Sequence, residues 1–212
     1  MQVIIFGAPG VGKGTQAKIL ASKLGIAHIS TGDILREAIK NGTVTGLKAK
    51  AIVESGGLVP DEIMGGIIKD ALKEGKYQNG SILDGFPRTK AQALILDQIF
   101  AELSVNKPVL IKIDADDKII IDRISNRLVC NSCGNILVKN DVSENFVCPV
   151  CNSKNSYIKR KDDAEEVIKR RLELYHEMTA PVFEHYKDKA KIIEVDGTEA
   201  IGTVTRNILR QI

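Results

Sequence analysis

The sequence lacks any run of ~18 apolar residues, so no segment is long enough to cross a bilayer as a helix. It also lacks a dominant charge, since 30 Lys and Arg stand against 27 Asp and Glu for a net charge of +3. That balance argues against a nucleic-acid or acidic-membrane binder, so any anion must be gripped by local placement. The opening "MQVIIF" has no basic flank, so no secretory signal is expected there. There is no internal repeat and no low-complexity segment. Cysteine is missing from everything outside Cys130–Cys151, where four form two Cys-x-x-Cys knuckles. Tight pairs without secretory context point to a reducing, cytoplasmic compartment and to metal rather than disulfides.

What is present is 43% apolar residue in 212 positions, enough for one main domain with a real core. Short apolar runs read as strands at Gln2–Phe6, Ala27–Ser30, Ser81–Asp84, Pro108–Asp114 and Lys191–Asp196. They lack polar alternation, as expected of strands covered on both faces. Helical patterns fill the gaps, starting with Gln16–Leu24. Alternating strands and helices imply an α/β fold with a parallel sheet flanked by helices. Two regions break the rhythm and read as insertions. Thr31–Val59 is helical without a strand, and Arg127 to about Asp163 is rich in Cys, Asn, Ser and Gly.

The first strand runs into "GAPGVGKGT", Gly7–Thr15, and then a helix. Glycines let backbone N–H groups converge on phosphate oxygens, and a helix N-terminus adds partial positive charge. Lys13 of such a P-loop reaches terminal phosphates. A magnesium-binding Ser or Thr usually follows that lysine. Here Gly14 does, with Thr15 next, so magnesium is expected to be held mainly by phosphates and water. Two further stretches pass from strand to helix, "STGDILR" from Ser30 and "DGFPRT" from Asp84. Ligands in open α/β sheets sit beyond the carboxyl ends of strands. Asp84 is therefore expected to orient magnesium-bound water. Asp33 is the second candidate, and helix capping is the alternative for both carboxylates.

Four thiolates make a closed tetrahedral zinc site with no open position, so the metal is expected to be structural. A short, polar segment cannot bury much core and needs such a staple. Two disulfides are one alternative and iron is another. A nucleic-acid-binding ribbon is a third. Against it, Lys139, Lys154, Lys159, Arg160 and Lys161 barely outnumber Asp141, Glu144, Asp162 and Asp163.

Asp116–Leu128 reads as a helix with Ile120, Ile121, Ile124 and Leu128 on one stripe. That places Arg123 and Arg127 together beside it, a like-charge pair that an anionic ligand could offset. In the helix from Ala164, Arg170 shares a face with Glu166, Glu173 and Glu177 and reads as a surface ion-pair residue. Arg171 lies among Val167, Ile168, Leu174 and Tyr175, where a buried charge needs a partner. Arg160 alone reads as solvated charge beside Lys159 and Lys161. His28, His176 and His185 lack metal spacing. His28 reads as a packed strand residue.

Taken in order, "GAPGVGKGTQA", "STGDILR", "GGLVPDE", "ILDGFPRT" with Gln92, "RKDD" and "VDGT" resemble adenylate kinase over nearly the whole chain. The cysteines fall where some bacterial members carry a long zinc lid, though the stretch between the knuckles is shorter than usual. The resemblance implies the P-loop nucleoside monophosphate kinase fold, with a five-stranded parallel core and two mobile inserts. The core would be residues 1–29, 60–126 and 164–212, the AMP-binding insert 30–59, and the lid 127–163. It implies ATP, AMP and ADP as substrates, with magnesium on ATP, structural zinc in the lid, no covalent intermediate and a monomer. Lys13, Asp84, Arg88, Arg123, Arg160 and Arg171 would be catalytic. ATP would meet Gly10, Val11, Gly12, Lys13, Gly14, Thr15, Arg123, Arg127, Ile136, Leu137 and Glu199. AMP would meet Thr31, Arg36, Gly57, Leu58, Val59, Gly85, Phe86, Pro87, Arg88, Gln92, Arg160 and Arg171. Cys130, Cys133, Cys148 and Cys151 would hold the metal. Thr89, where UMP and CMP kinases usually show Asn, favours AMP as acceptor, and the Gln92 amide suits an adenine edge.

Overall fold

The computed structural model describes residues 1–73, 79–139 and 146–212. Asp141 and Glu144 of the charge comparison above lie outside these. All five expected strands form, as Gln2–Phe6 (β1), Ala27–Ser30 (β2), Ser81–Asp84 (β3), Val109–Asp114 (β4) and Lys191–Asp196 (β8). They make a parallel sheet in the order β2-β3-β1-β4-β8. Val3 faces Ile82 on one side and Val109 on the other, so β1 runs down the centre. Val3, Ile4, Ile5 and Phe6 are all buried. Helices cover both sheet faces, which explains the missing polar alternation. These helices include Lys13–Leu24 (α1), Lys90–Glu102 (α5), Asp117–Ser125 (α6), Glu165–Leu174 (α7), Val182–Tyr186 (α8) and Ile201–Leu209 (α9). Among the described residues no helix is long and apolar enough to cross a membrane.

Parallel strands bring their carboxyl ends to one edge of the sheet. There Phe6 leads into the glycine loop, Ser30 into a helix, Asp84 into Gly85–Arg88, and Asp196 into Gly197. Helix α1 starts at Lys13, three residues before the expected Gln16, because Gly12 at φ 109° turns the loop straight into it.

The first break in the rhythm is helical, as expected. Thr31–Lys40 (α2) and Val44–Glu54 (α3) pack side by side, and Asp61–Lys73 (α4) follows. A Cβ on Gly46 would lie 2.2 Å from the Ala38 carbonyl carbon and oxygen, so α2 and α3 touch backbone to backbone.

The second break is a small antiparallel sheet of Arg127–Cys130 (β5), Ile136–Val138 (β6) and Tyr157–Ile158 (β7), in the order β6-β5-β7. It corrects the expected helix Asp116–Leu128. Helix α6 ends at Ser125, and the Asn126 N–H bonds back to the Asp122 and Ile124 carbonyls. The Lys139 N–H then donates to the Asn126 carbonyl, and Leu128 pairs with Leu137. Leu128 has helical spacing but belongs to a strand, because periodicity cannot separate a short apolar run from a helix extension. The Arg123–Arg127 helical pair therefore does not exist. A second correction concerns Arg170, which is exposed and makes no ion pair with Glu166, Glu173 or Glu177 among the described residues. The α7 ion pair is Lys169 with Glu165, at 3.0 Å.

Candidate active site

The loop Gly7–Gly12 bends tightly against the sheet and α6. Gly10 has φ 82°, and a Cβ there would strike Ile124 at 2.4 Å. No side chain caps α1, so its first backbone N–H groups face the loop. Lys13 Nζ donates to the Gly7 and Ala8 carbonyls, both at 2.7 Å. Burial drops its amine from an ordinary lysine value to about 7. Arg88, Arg171 and Arg127 push the same way, and Asp84 opposes them.

Asp84 sits at the end of β3, against the loop. A Cβ on Gly14 would lie 3.3 Å from its Oδ2, so glycine after Lys13 gives this carboxylate room. His28 is packed, as expected, with its Nε2 3.4 Å from that same oxygen. Capping does not account for Asp84, because Thr89 caps α5. Nor does it account for Asp33. The Ser30 hydroxyl caps α2 by accepting from the Asp33 N–H, and Asp33 Oδ1 pairs with Arg36 Nη2 at 2.5 Å. Burial pushes the Asp33 carboxyl up, but Arg36 outweighs it and holds the group below the usual range.

The guanidinium groups crowd the same space. Burial and the Arg171 charge lower Arg88 to about 10, opposed by Asp84. Burial, Arg36 and Arg127 lower Arg160 to about 10, opposed by Asp162 and Asp33. Burial also lowers Arg171, opposed first by Asp162. Its Nη1 lies 3.0 Å from Asp162 Oδ2 and 3.3 Å from Asp163 Oδ1, which supplies the partner that its apolar edge demands. Arg127 Nε donates to Asp163 Oδ2 at 2.9 Å. Arg123 Nη1 donates to the Gly197 carbonyl at 2.7 Å and so holds the turn after β8. Several cations that repel one another around one space form an environment for a polyanion.

That space is a cavity of about 390 Å³. A smaller one, of about 60 Å³, adjoins it, and the two share Arg36, Arg88 and Arg171 among their walls. The large cavity is lined by all the residues expected to be catalytic and all those expected around ATP, Ile136, Leu137 and Glu199 included. Of the residues expected around AMP, Thr31, Gly57, Val59 and Gln92 line only the smaller cavity, and Phe86, Pro87 and Arg160 only the larger. Arg36, Leu58, Gly85, Arg88 and Arg171 line both. The Thr31 hydroxyl donates to the Asp84 and Gly85 carbonyls, at 3.2 and 3.1 Å.

The four cysteines meet across the knuckles. Cys130 Sγ lies 3.7 Å from Cys151 Sγ, and Cys133 Sγ lies 3.6 Å from Cys148 Sγ. All four sulfurs fall within 4.8 Å of one another. A tetrahedron with metal–sulfur bonds of about 2.3 Å has sulfurs about 3.8 Å apart, so the set can hold a metal ion. The four cysteines are free, with no disulfide between them. Ser156 Oγ lies 3.1 Å from Cys130 Sγ, and the Tyr157 hydroxyl donates to Cys148 Sγ at 3.4 Å.

Sequence reasoning missed Asp162 and Asp163 as holders of arginines, although the need of Arg171 for a partner pointed at the adjacent "RKDD". It also missed Asp61, whose carboxylate accepts from Thr89 and Gln92. Its place in "GGLVPDE" carried no signal beyond the start of a helix.

A glycine loop ending β1, a lysine at the helix start and converging arginines define a nucleotide phosphotransferase of the P-loop class. The comparisons with known proteins agree. The family model described as adenylate kinase matches residues 5–191. The adenylate kinase of Caldicellulosiruptor saccharolyticus is 44% identical over 212 residues, covering 99% of this chain and 98% of the relative. That of Fusobacterium nucleatum subsp. nucleatum is 44% identical over 211 residues, covering 99% and 97%. That of Petrotoga mobilis is 46% identical over 215 residues, covering 99% and 98%. The chain belongs to the adenylate kinase family.

Proposed function

We propose that this chain transfers the terminal phosphoryl group of ATP to AMP, reversibly, giving two ADP. ATP occupies the large cavity, with its phosphates on the loop Gly10–Thr15 and its base toward Ile136, Leu137 and Glu199. AMP presents its phosphate to Arg36 and Arg88 and its base to Gln92, Gly57, Leu58 and Val59. The carrying observation is that the two cavities share Arg36, Arg88 and Arg171, so one ring of guanidinium groups faces both.

Phosphoryl transfer asks the protein chiefly for alignment and for cations around the moving group. Lys13, Arg88, Arg123, Arg160 and Arg171 supply the cations. Planar guanidinium forks match phosphate oxygens in pairs. Asp162 and Asp163 orient Arg171 and Arg127, and the Arg88 side chain is held by its Nε bond to the Gly85 carbonyl at 2.9 Å. Magnesium carried by ATP neutralises charge on the phosphates. Asp84 is the side chain placed to hold it through water, in the room that Gly14 leaves.

Residues 30–59 and 127–163 act as the AMP-binding insert and the lid, which close over the nucleotides and exclude water. Structural zinc on the four thiolates stiffens the lid. Its donor set fits, and the Ser156 and Tyr157 hydroxyls steady the sulfurs. The chain works as a cytoplasmic monomer.

The test is a coupled assay with ATP as donor and AMP, CMP, UMP and GMP in turn as acceptors. Turnover confined to AMP is expected. Comparable turnover with a pyrimidine acceptor would overturn the reading.

A further inference from the structure

Gln92 is 2% exposed, yet it lines the smaller cavity. Its amide is held on both atoms. Oε1 accepts from the Arg88 backbone N–H at 2.7 Å, and Nε2 donates to Asp61 Oδ1 at 2.8 Å. These partners have opposite and fixed polarity. A carboxylate only accepts, and a backbone N–H only donates. Turning the amide over would set oxygen against oxygen and N–H against N–H. Its orientation is therefore dictated by chemistry, where an unconstrained glutamine can flip.

Asp61 is itself held. The Thr89 hydroxyl donates to the same Oδ1 at 3.0 Å and accepts from the Gln92 backbone N–H at 3.1 Å. Asp61 opens α4 and is not part of either cavity wall, so it reaches a nucleotide only through Gln92.

The held amide keeps one N–H and one lone pair free. Adenine offers an amino donor at position 6 and a ring acceptor at position 1. A 6-oxopurine offers the reverse, an acceptor at position 6 and a ring N–H at position 1. An amide that can flip serves either edge; an amide that cannot serves one. We infer that Asp61 is a positioning residue that locks the Gln92 amide and so selects 6-aminopurine over 6-oxopurine acceptors. This rests on the reading of Gln92 as the acceptor-base contact.

Asp61→Ala tests it, because it removes the acceptor of Gln92 Nε2 and leaves the Arg88 N–H alone to orient the amide. The preference for AMP over IMP, measured as a ratio of kcat/KM values, should fall by roughly 10-fold or more, since hydrogen-bonded sites discriminate strongly against mismatched edges. KM for AMP should rise while kcat and KM for ATP stay near wild type. Asp61→Glu, which keeps an acceptor-only group, should restore part of the preference. In the ligand-free protein, NMR should show slow exchange of the Gln92 side-chain amide protons, and faster exchange in Asp61→Ala. That readout needs no turnover and is accompanied by a melting curve to confirm folding. Gln92→Ala separates the two readings. If it leaves KM for AMP unchanged, the acceptor-base reading fails. If it raises KM for AMP while Asp61→Ala keeps both the AMP preference and slow amide exchange, the positioning role of Asp61 is wrong.

Discussion

Arg127 and Asp163 tie together the two ends of the segment that carries the four cysteines. Arg127 begins β5, Asp163 lies 36 residues later, and the Arg127 Nε donates to Asp163 Oδ2 at 2.9 Å. Asp163 is fully buried and Arg127 is 12% exposed. Arg171, from the helix that follows, reaches the other Asp163 oxygen at 3.3 Å. One carboxylate thus holds two guanidinium groups at the base of this segment, with Asp162 as a second partner of Arg171.

Asp163→Ala should leave Arg127 without its carboxylate partner and Arg171 held by Asp162 alone. Removing one partner of a buried pair costs about 3–5 kcal/mol. A matching loss in urea unfolding free energy is expected, together with slower turnover. An unchanged unfolding midpoint would show that the carboxylate contributes nothing there.

Arg88→Ala should cut turnover by ~10³–10⁵, the range for a transition-state arginine. The circular dichroism spectrum should be unaltered, because the Arg88 side chain faces the cavity and, among the described residues, bonds only to the Gly85 carbonyl. Near-normal turnover would remove Arg88 from the phosphoryl site.

Lys13 should take up a proton when nucleotide binds. Its amine is held at about 7 by burial and by the neighbouring arginines. It is therefore mostly neutral at pH 8.5, and a polyphosphate restores its charge. Calorimetry of ATP binding in buffers of different ionisation heat should show proton uptake at pH 8.5 that vanishes near pH 6. The same shift makes the unfolded chain bind more protons than the folded one between about 7 and the ordinary lysine value. Stability of the ligand-free protein from this group then rises with pH across that window and is lost as pH falls through about 7. Binding with no net proton change at pH 8.5 would place the Lys13 pKa elsewhere.

Cys148→Ser should lower the melting temperature more than it lowers turnover at mild temperature. Cys148 is buried, hydrogen-bonded to Tyr157, and lines neither of the two cavities. Metal analysis should find about one zinc per wild-type chain. Identical melting curves before and after chelation would rule out a structural metal.

The parallel core was readable because strands buried on both faces print as unbroken apolar runs, as at Val3–Phe6. The glycine loop was readable because its chemistry is local. The Arg127 strand was not, since Leu128 sits at helical spacing and only its partner Leu137, nine residues on, reveals the hairpin. Asp61 and Gln92 were harder still. Their bond spans 31 residues, and nothing near either residue signals it. Side chains that act on ligands directly leave motifs, whereas those that hold other side chains leave contacts that exist only after folding.

At Gly46 no atom stands between one helix and the next. Two rods joined so closely form a single plate. Bulk added at position 46 would force the two helices apart and break that plate.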